Sequence, residues 1–177
     1  EIRALADRFR AGHGRLDVLI NNAGAIFSRL EVTSEGFERT WALNHNAYFL
    51  LTTLLHDMLF EGTPARIVNT ASDAHQTGRM YWDDLQFSKR QPLWGWRSYS
   101  QSKLANVLFT RQLAHRLKGS QVTANAVHPG FVNTGFSYNN GPLAHAMMVL
   151  TRPVQRQDSK GAETVVWAAI SEQAEGI

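Results

Sequence analysis

Three short apolar runs, each ending abruptly in small or polar residues, constrain this chain more than any other feature. They are Leu16-Asp17-Val18-Leu19-Ile20 before Asn21-Asn22-Ala23-Gly24, Ile67-Val68-Asn69-Thr70 before Ala71-Ser72, and Val122 to His128 before Pro129-Gly130. Their length suits strands, and apolar runs without alternation suit strands buried on both faces. The stretches around them have a helical period. Residues 2–11 read as a helix with Ile2, Leu5 and Phe9 on one face, ended by Gly12 and Gly14. Residues 34–60 form a long helix. Thr33 or Ser34 would cap it, Glu35 and Glu38 would meet the positive end of its dipole, and Phe37, Trp41, Tyr48, Leu51 and Leu55 would share a face. A helix over 98–117 has capping-box spacing at Ser98 and Gln101. Residues 159–170 form the last. Strand–helix alternation of this kind specifies an α/β fold with a parallel sheet.

Composition narrows the function. The chain has 177 residues, 44% of them hydrophobic, which is enough for a core and excludes wholesale disorder. There is no Cys, so thiolate metal sites, disulfides and cysteine nucleophiles are excluded. The net charge of +3 is spread without a basic run, so no nucleic-acid partner is expected. No apolar run reaches membrane-spanning length and no signal peptide is visible, so a cytoplasmic location is expected. The seven His show no metal-ligand spacing, and no metal is expected. No G-x-S-x-G elbow supports a hydrolase.

Ligands of an open parallel sheet bind beyond the carboxyl ends of its strands. The three polar endings fall there. Tyr99 and Lys103 stand four apart, so they share a helix face. A phenol is a poor base near neutrality, and a neighbouring ammonium would favour its phenolate, making it able to exchange a proton with an alcohol or carbonyl oxygen. Alone, such a pair is an ordinary helix-surface pairing. Asn44 adds weight, because a carboxamide on an apolar helix face must find partners. Ser72 sits at a strand end, where a solvated turn is the plain alternative. The long connection over 73–97 holds Tyr81, Trp82, Phe87, Trp94 and Trp96. Its aromatics either pack the loop down or border a substrate.

Taken in order, the chain reads NNAG after a strand, Asn in a helix, Ser after a strand, YxxxK in a helix and PG after a strand. It thereby resembles the short-chain dehydrogenase/reductase superfamily over residues 1–177. The strings LDVLINNAG, LNHNAYFLLT, RIVNTAS, YSQSKLANVLFTRQLAHRL and VTANAVHPGFVNT, with SDAH at 72–75 and DDL at 83–85, are similar to its retinol-dehydrogenase-like branch. The resemblance implies a single partial domain over 1–177, the C-terminal part of a doubly wound, Rossmann-type sheet. It implies an oxidoreductase moving a hydride between NAD or NADP and a hydrophobic alcohol or carbonyl. Tyr99 would be the general acid/base, Lys103 would bond the nicotinamide ribose, and Ser72 would donate to the substrate oxygen. Asn44 would hold a water joining Lys103 to solvent. Asn22, Ala23 and Gly24 would lie along the cofactor, with Pro129, Gly130, Val132 and Thr134 near the nicotinamide carboxamide. Residues 81–96 and 136–150 would flank the substrate.

The chain departs from that pattern: no glycine-rich phosphate loop is present, the first βαβαβ half of such a fold has no counterpart, and the chain stops at Glu175-Gly176-Ile177, about where the last strand of the family would begin. Gly12-His13-Gly14 precedes a strand, whereas a phosphate loop follows one, so the residues that choose NAD or NADP are not among these 177. An internal stretch of a longer enzyme is therefore expected, with the edge of the first strand open. Alone it would aggregate or bind cofactor poorly. Two other readings compete: a catalytically silent interaction module that keeps the fold, and a sugar-nucleotide epimerase-like enzyme, which can share the Tyr/Lys pair. The two long helices offer a surface for a homodimer.

Overall fold

The computed structural model describes residues 1–61, 64–89, 95–132, 140–141, 145–146, 149–151 and 155–175. Helix α1 (Ile2–Gly12) leads through an extended His13 to β1 (Val18–Asn21). Then come α2 (Arg39–Trp41), a π-helical turn (Ala42–Asn46), α3 (Ala47–Leu54) and α4 (His56–Phe60). Strand β2 (Ala65–Thr70) is followed by a 3-10 turn (Asp73–Thr77) and by α5 (Trp96–Arg116). Strand β3 (Val122–Val127), α6 (Asp158–Ile170) and a 3-10 turn (Glu172–Ala174) complete the described elements.

The sheet has the order β1-β2-β3 and is parallel throughout. Val18 to Asn21 pair with Arg66 to Asn69, and Ala65 to Thr70 pair with Val122 to Val127. The three strands therefore end at one level, and their polar endings share one side of the molecule. On one face Leu19, Ile67 and Ala124 bury against Ala6, Leu55, Met58, Leu59 and Leu117. On the other, Val68 and Val127 bury against Val165, Ala168 and Ala169 of α6, with Val18 partly covered beside them. Strand β2 is thus covered on both sides. Burial of β1 is less complete than its apolar run suggests, since Ile20 is 42% exposed and borders the crevice described below.

The helix expected over 34–60 begins later and is interrupted. Thr33 closes a tight turn by accepting from Phe37 N, and Phe37 itself is exposed. The cap is Glu38, a buried carboxylate whose two oxygens accept from Thr40 N and Trp41 N. A π turn follows, with Ala47 N bonded to Ala42 O. Widening the turn there inserts Asn44 into the interior. At Leu55 the backbone leaves helical angles, separating α3 from α4.

Helix α5 starts at Trp96, and the expected capping box does not form. Its N-cap is Gly95, at φ 80°, with no side-chain cap. Ser98 Oγ donates back to Gly95 O, while Gln101 accepts from Tyr81 N and donates to Leu85 O. Gln101 thereby fastens the aromatic connection rather than the helix end. In that connection Phe87 is buried with its ring centre 5.4 Å from that of Tyr81, whereas Trp82 is 74% exposed. Trp94 lies outside the described residues, as do Thr134 and most of 136–150.

Gly95 admits no side chain. Its φ lies in the left-handed region, and a Cβ built there would stand 2.1 Å from the Phe27 carbonyl oxygen. Gly95→Ala is expected to destabilise the protein by at least about 2 kcal/mol in urea unfolding, since the left-handed cost and the clash add. An unchanged midpoint would refute this account of how α5 begins.

Candidate active site

The carboxyl ends of the strands open into a crevice of about 1000 Å³. Asn22, Ala23 and Gly24 line it after β1, Ser72 after β2, and Pro129, Gly130 and Val132 after β3. Tyr99 and Lys103 enter it from α5. The structure therefore brings together every described residue in the expected set, Asn44 standing just behind the wall.

Lys103 is the least expected residue to find in an interior, at 3% exposure. Its Nζ donates to the Thr70 carbonyl at 2.9 Å, where β2 ends and that oxygen is free of the sheet. The ammonium lies 5.7 Å from the Tyr48 ring centre and 5.8 Å from that of Tyr99. Burial pulls its pKa down to about 8. Gly24 is its near neighbour: a Cβ there would stand 3.5 Å from Nζ and 3.3 Å from Asn44 Oδ1. The glycine keeps that wall open.

Asn44 is fully buried and fully engaged. Its Oδ1 accepts from Ala25 N at 2.9 Å and its Nδ2 donates to Ala25 O at 2.9 Å, so the carboxamide pairs with the loop backbone as a neighbouring strand would. Nδ2 also reaches Ser102 Oγ at 3.1 Å. Its carbonyl accepts from Asn106 Nδ2 at 2.8 Å. Asn44 thereby fastens the loop after β1 to α5. Asn22 accepts from Thr70 Oγ1 at 2.9 Å, joining the ends of β1 and β2.

Ser72 caps the 3-10 turn by accepting from Ala74 N at 3.3 Å, and its carbonyl takes His75 Nδ1 at 2.6 Å. With Oγ accepting, its hydrogen is left to give, and Ser72 lies close enough to the Tyr99 phenol to favour its ionised form. The Tyr99 pKa is nevertheless raised, because burial outweighs the opposing Ser72 bond. The net direction is thus opposite to the lowering expected beside Lys103, with desolvation of the phenolate the largest cause.

Several residues of the site escaped sequence reasoning. Asn106, fully buried three residues after Lys103, bonds Asn44 O and, at 3.4 Å, Thr70 O, and takes His45 Nδ1 at 3.0 Å. Asn21 donates to Asn69 Oδ1 and to Thr52 Oγ1, and Asn69 donates to Thr110 Oγ1. Their signal was present but unused: α5 buries Ser98, Ser100, Gln101, Ser102, Lys103, Asn106 and Thr110, a polar face on a helix in the core. His128 also went unremarked. Its Nε2 meets Asp73 Oδ2 at 2.8 Å, tying the loop after β3 to the loop after β2. Val132 bridges to Arg156 and presses on Gly161, where a Cβ would come within 2.5 Å of it. No cluster that could hold a metal ion occurs among the described residues.

Comparison with known proteins agrees with this arrangement. A family model described as enoyl-(acyl carrier protein) reductase matches residues 1–177. Retinol dehydrogenase 12 of Mus musculus is 44% identical over 176 residues, covering 99% of this chain and 55% of that protein. A short-chain dehydrogenase/reductase from Serratia marcescens superposes with a TM-score of 0.69 at 25% identity, over 99% of this chain and 66% of that one. A blue fluorescent protein from a metagenomic library, in complex with NADPH, gives 0.68 at 26%, over 98% and 66%. A parallel sheet ending in a Ser–Tyr–Lys crevice defines the class, and the chain belongs to the short-chain dehydrogenase/reductase family. Within it the chain is retinol-dehydrogenase-like. It spans about half the length of the curated relatives it matches.

The buried ammonium makes stability depend on pH in a stated direction. The unfolded chain holds the Lys103 proton up to the ordinary value of 10.5, and the folded chain releases it near 8. Between these the unfolded state binds more protons, so this contribution to stability rises with pH. The penalty is fully present below about pH 8. Comparing wild type with Lys103→Met by urea unfolding, the wild type is expected to gain about 2 kcal/mol relative to the variant between about pH 7.5 and 9.5. A constant difference would refute the burial of a charged amine.

Proposed function

We propose that this chain carries the catalytic centre of an NAD- or NADP-dependent oxidoreductase that interconverts a hydrophobic alcohol and its carbonyl. The observation that carries the reading is the convergence of Ser72, Tyr99 and the buried Lys103 in one crevice, with Ser72 near enough to the Tyr99 phenol to favour its ionised form. The residues present fit a nicotinamide cofactor. Lys103 uses one of its three N–H groups on Thr70, leaving donors for a ribose hydroxyl, and Gly24 leaves room beside it. Asn22, Ala23 and Gly24 would lie along it on one wall, with Pro129, Gly130 and Val132 on the other. The cofactor supplies or takes up the hydride.

The protein's own part is to place and polarise. Ser72, pinned at its carbonyl and accepting at Oγ from Ala74 N, presents a hydrogen to the substrate oxygen, where negative charge gathers in reduction. Tyr99 gives that oxygen its proton, or takes it in the reverse direction. Lys103 offsets charge that develops on the phenol. Burial raises the phenol pKa, so Tyr99 stands protonated at neutral pH, the form that reduction requires. Ile20, Trp96, Phe131, Val165 and Val166 line the crevice and favour an apolar substrate. The name of the murine relative points the same way. A homodimer through α3 and α5 belongs to the same proposal, since Phe49 and Leu108 are exposed on these helices.

Tyr99→Phe keeps the ring and removes the proton. In the cofactor-competent enzyme it is expected to lower kcat by on the order of 10³-fold with cofactor affinity within a few-fold of wild type. Equal turnover of the two proteins, read as nicotinamide absorbance, would favour the silent interaction module.

A further inference from the structure

Around Lys103 the polar atoms are almost all committed. Asn44 gives its side chain to Ala25 and Ser102 and its carbonyl to Asn106. The Thr70 carbonyl takes both Lys103 and Asn106. One polar atom beside them has no partner among the described residues: the hydroxyl of Tyr48. Tyr48 stands one helical turn beyond Asn44 and is 2% exposed. Its ring centre is 5.7 Å from Lys103 Nζ, nearly the distance from that amine to the Tyr99 ring. A buried hydroxyl without a partner is unfavourable, and Phe would fill the same space without that cost. Packing alone therefore does not account for a phenol here. A buried water bonded to two or more polar groups does.

Resting on the oxidoreductase reading, we propose that Tyr48 is a positioning residue for Lys103: through one buried water its hydroxyl holds the ammonium in place beside Tyr99. Burial, with a smaller effect of Tyr99, raises the Tyr48 pKa, so the hydroxyl stays neutral and both donates and accepts. One bond goes to the water, and the water in turn accepts an N–H of Lys103. The amine, carried on a flexible stem, is then fixed at two points, Thr70 O and the bridge, instead of one.

Tyr48→Phe separates this role from packing, because stability and turnover should move in opposite directions. We expect kcat to fall by fivefold or more, on the order of tenfold, with KM for cofactor and substrate within about twofold and Tm unchanged or raised by a few degrees. Tyr48→His, which restores a polar ring atom, should recover part of the lost turnover. A kcat that falls less than fivefold overturns the proposal, as does a fall matched by lower Tm and weaker cofactor binding. If the Phe variant does not fold, Tyr48→His is compared with Tyr48→Leu, and equal turnover overturns it. A crystal structure supplies a readout independent of activity. A water within about 3.5 Å of both Tyr48 Oη and Lys103 Nζ is expected, and none at that place overturns the proposal. Tyr99→Phe assayed alongside keeps the two claims apart. A wild type without nicotinamide-dependent turnover defeats the oxidoreductase reading. An active wild type, a silent Tyr99→Phe and a fully active Tyr48→Phe defeat only the role of Tyr48.

Discussion

An amine buried at the end of the central strand governs this structure. Lys103 sits at 3% exposure with a backbone carbonyl as its one hydrogen-bond partner among the described residues. Taking an ammonium out of water costs several kcal/mol unless its surroundings are polar, and these surroundings are built to be so. Thr70 O is available because β2 stops there. Asn106 shares that oxygen and reaches across to Asn44. Each of these groups has a partner of its own, so the polar interior is close to saturated. Partly satisfied networks of this kind are unstable, and completed ones hold a single arrangement.

Completion reaches beyond the crevice. Asn21, Asn69, Thr52 and Thr110 form a second polar chain directly beneath, linking β1, β2, α3 and α5. Thr110 Oγ1 then donates to Asn106 O, which joins the second chain to the first. The apolar clusters lie to either side of the sheet, and the polar seam runs between the strand ends and α5. The π turn belongs to this arrangement: it sets Asn44 inward, where its carboxamide lines up with the Ala25 backbone.

Period and punctuation were enough to read the strands, their parallel pairing and the residues at their ends, since strand length and end chemistry are local properties. NNAG, Ser, YxxxK and PG meet at one crevice for the same reason, with Asn44 just behind its wall. What was not legible depended on contacts far apart in the chain. Thr33 and Ser34 have the chemistry of a cap, yet Glu38, five residues on, has its carboxylate buried where both oxygens reach the helix start. Ser98 and Gln101 have the spacing of a capping box, yet Gln101 is claimed by Tyr81 and Leu85, 20 and 16 residues distant. The Tyr99 pKa went the other way from expectation because burial, which one sequence does not disclose, outweighs the opposing effect of Ser72.

The crevice is assembled in two grades of material. Its floor is made of carboxamides, hydroxyls and an amine that hold one another across four elements. Its mouth is made of Ile20, Trp96, Phe131 and Val166, partly or well exposed apolar side chains that none of the polar bonds of the floor depends on. Shape at the entrance and order in the interior are therefore set by different side chains. A substitution at the mouth changes the shape of the opening without breaking a hydrogen bond of the floor.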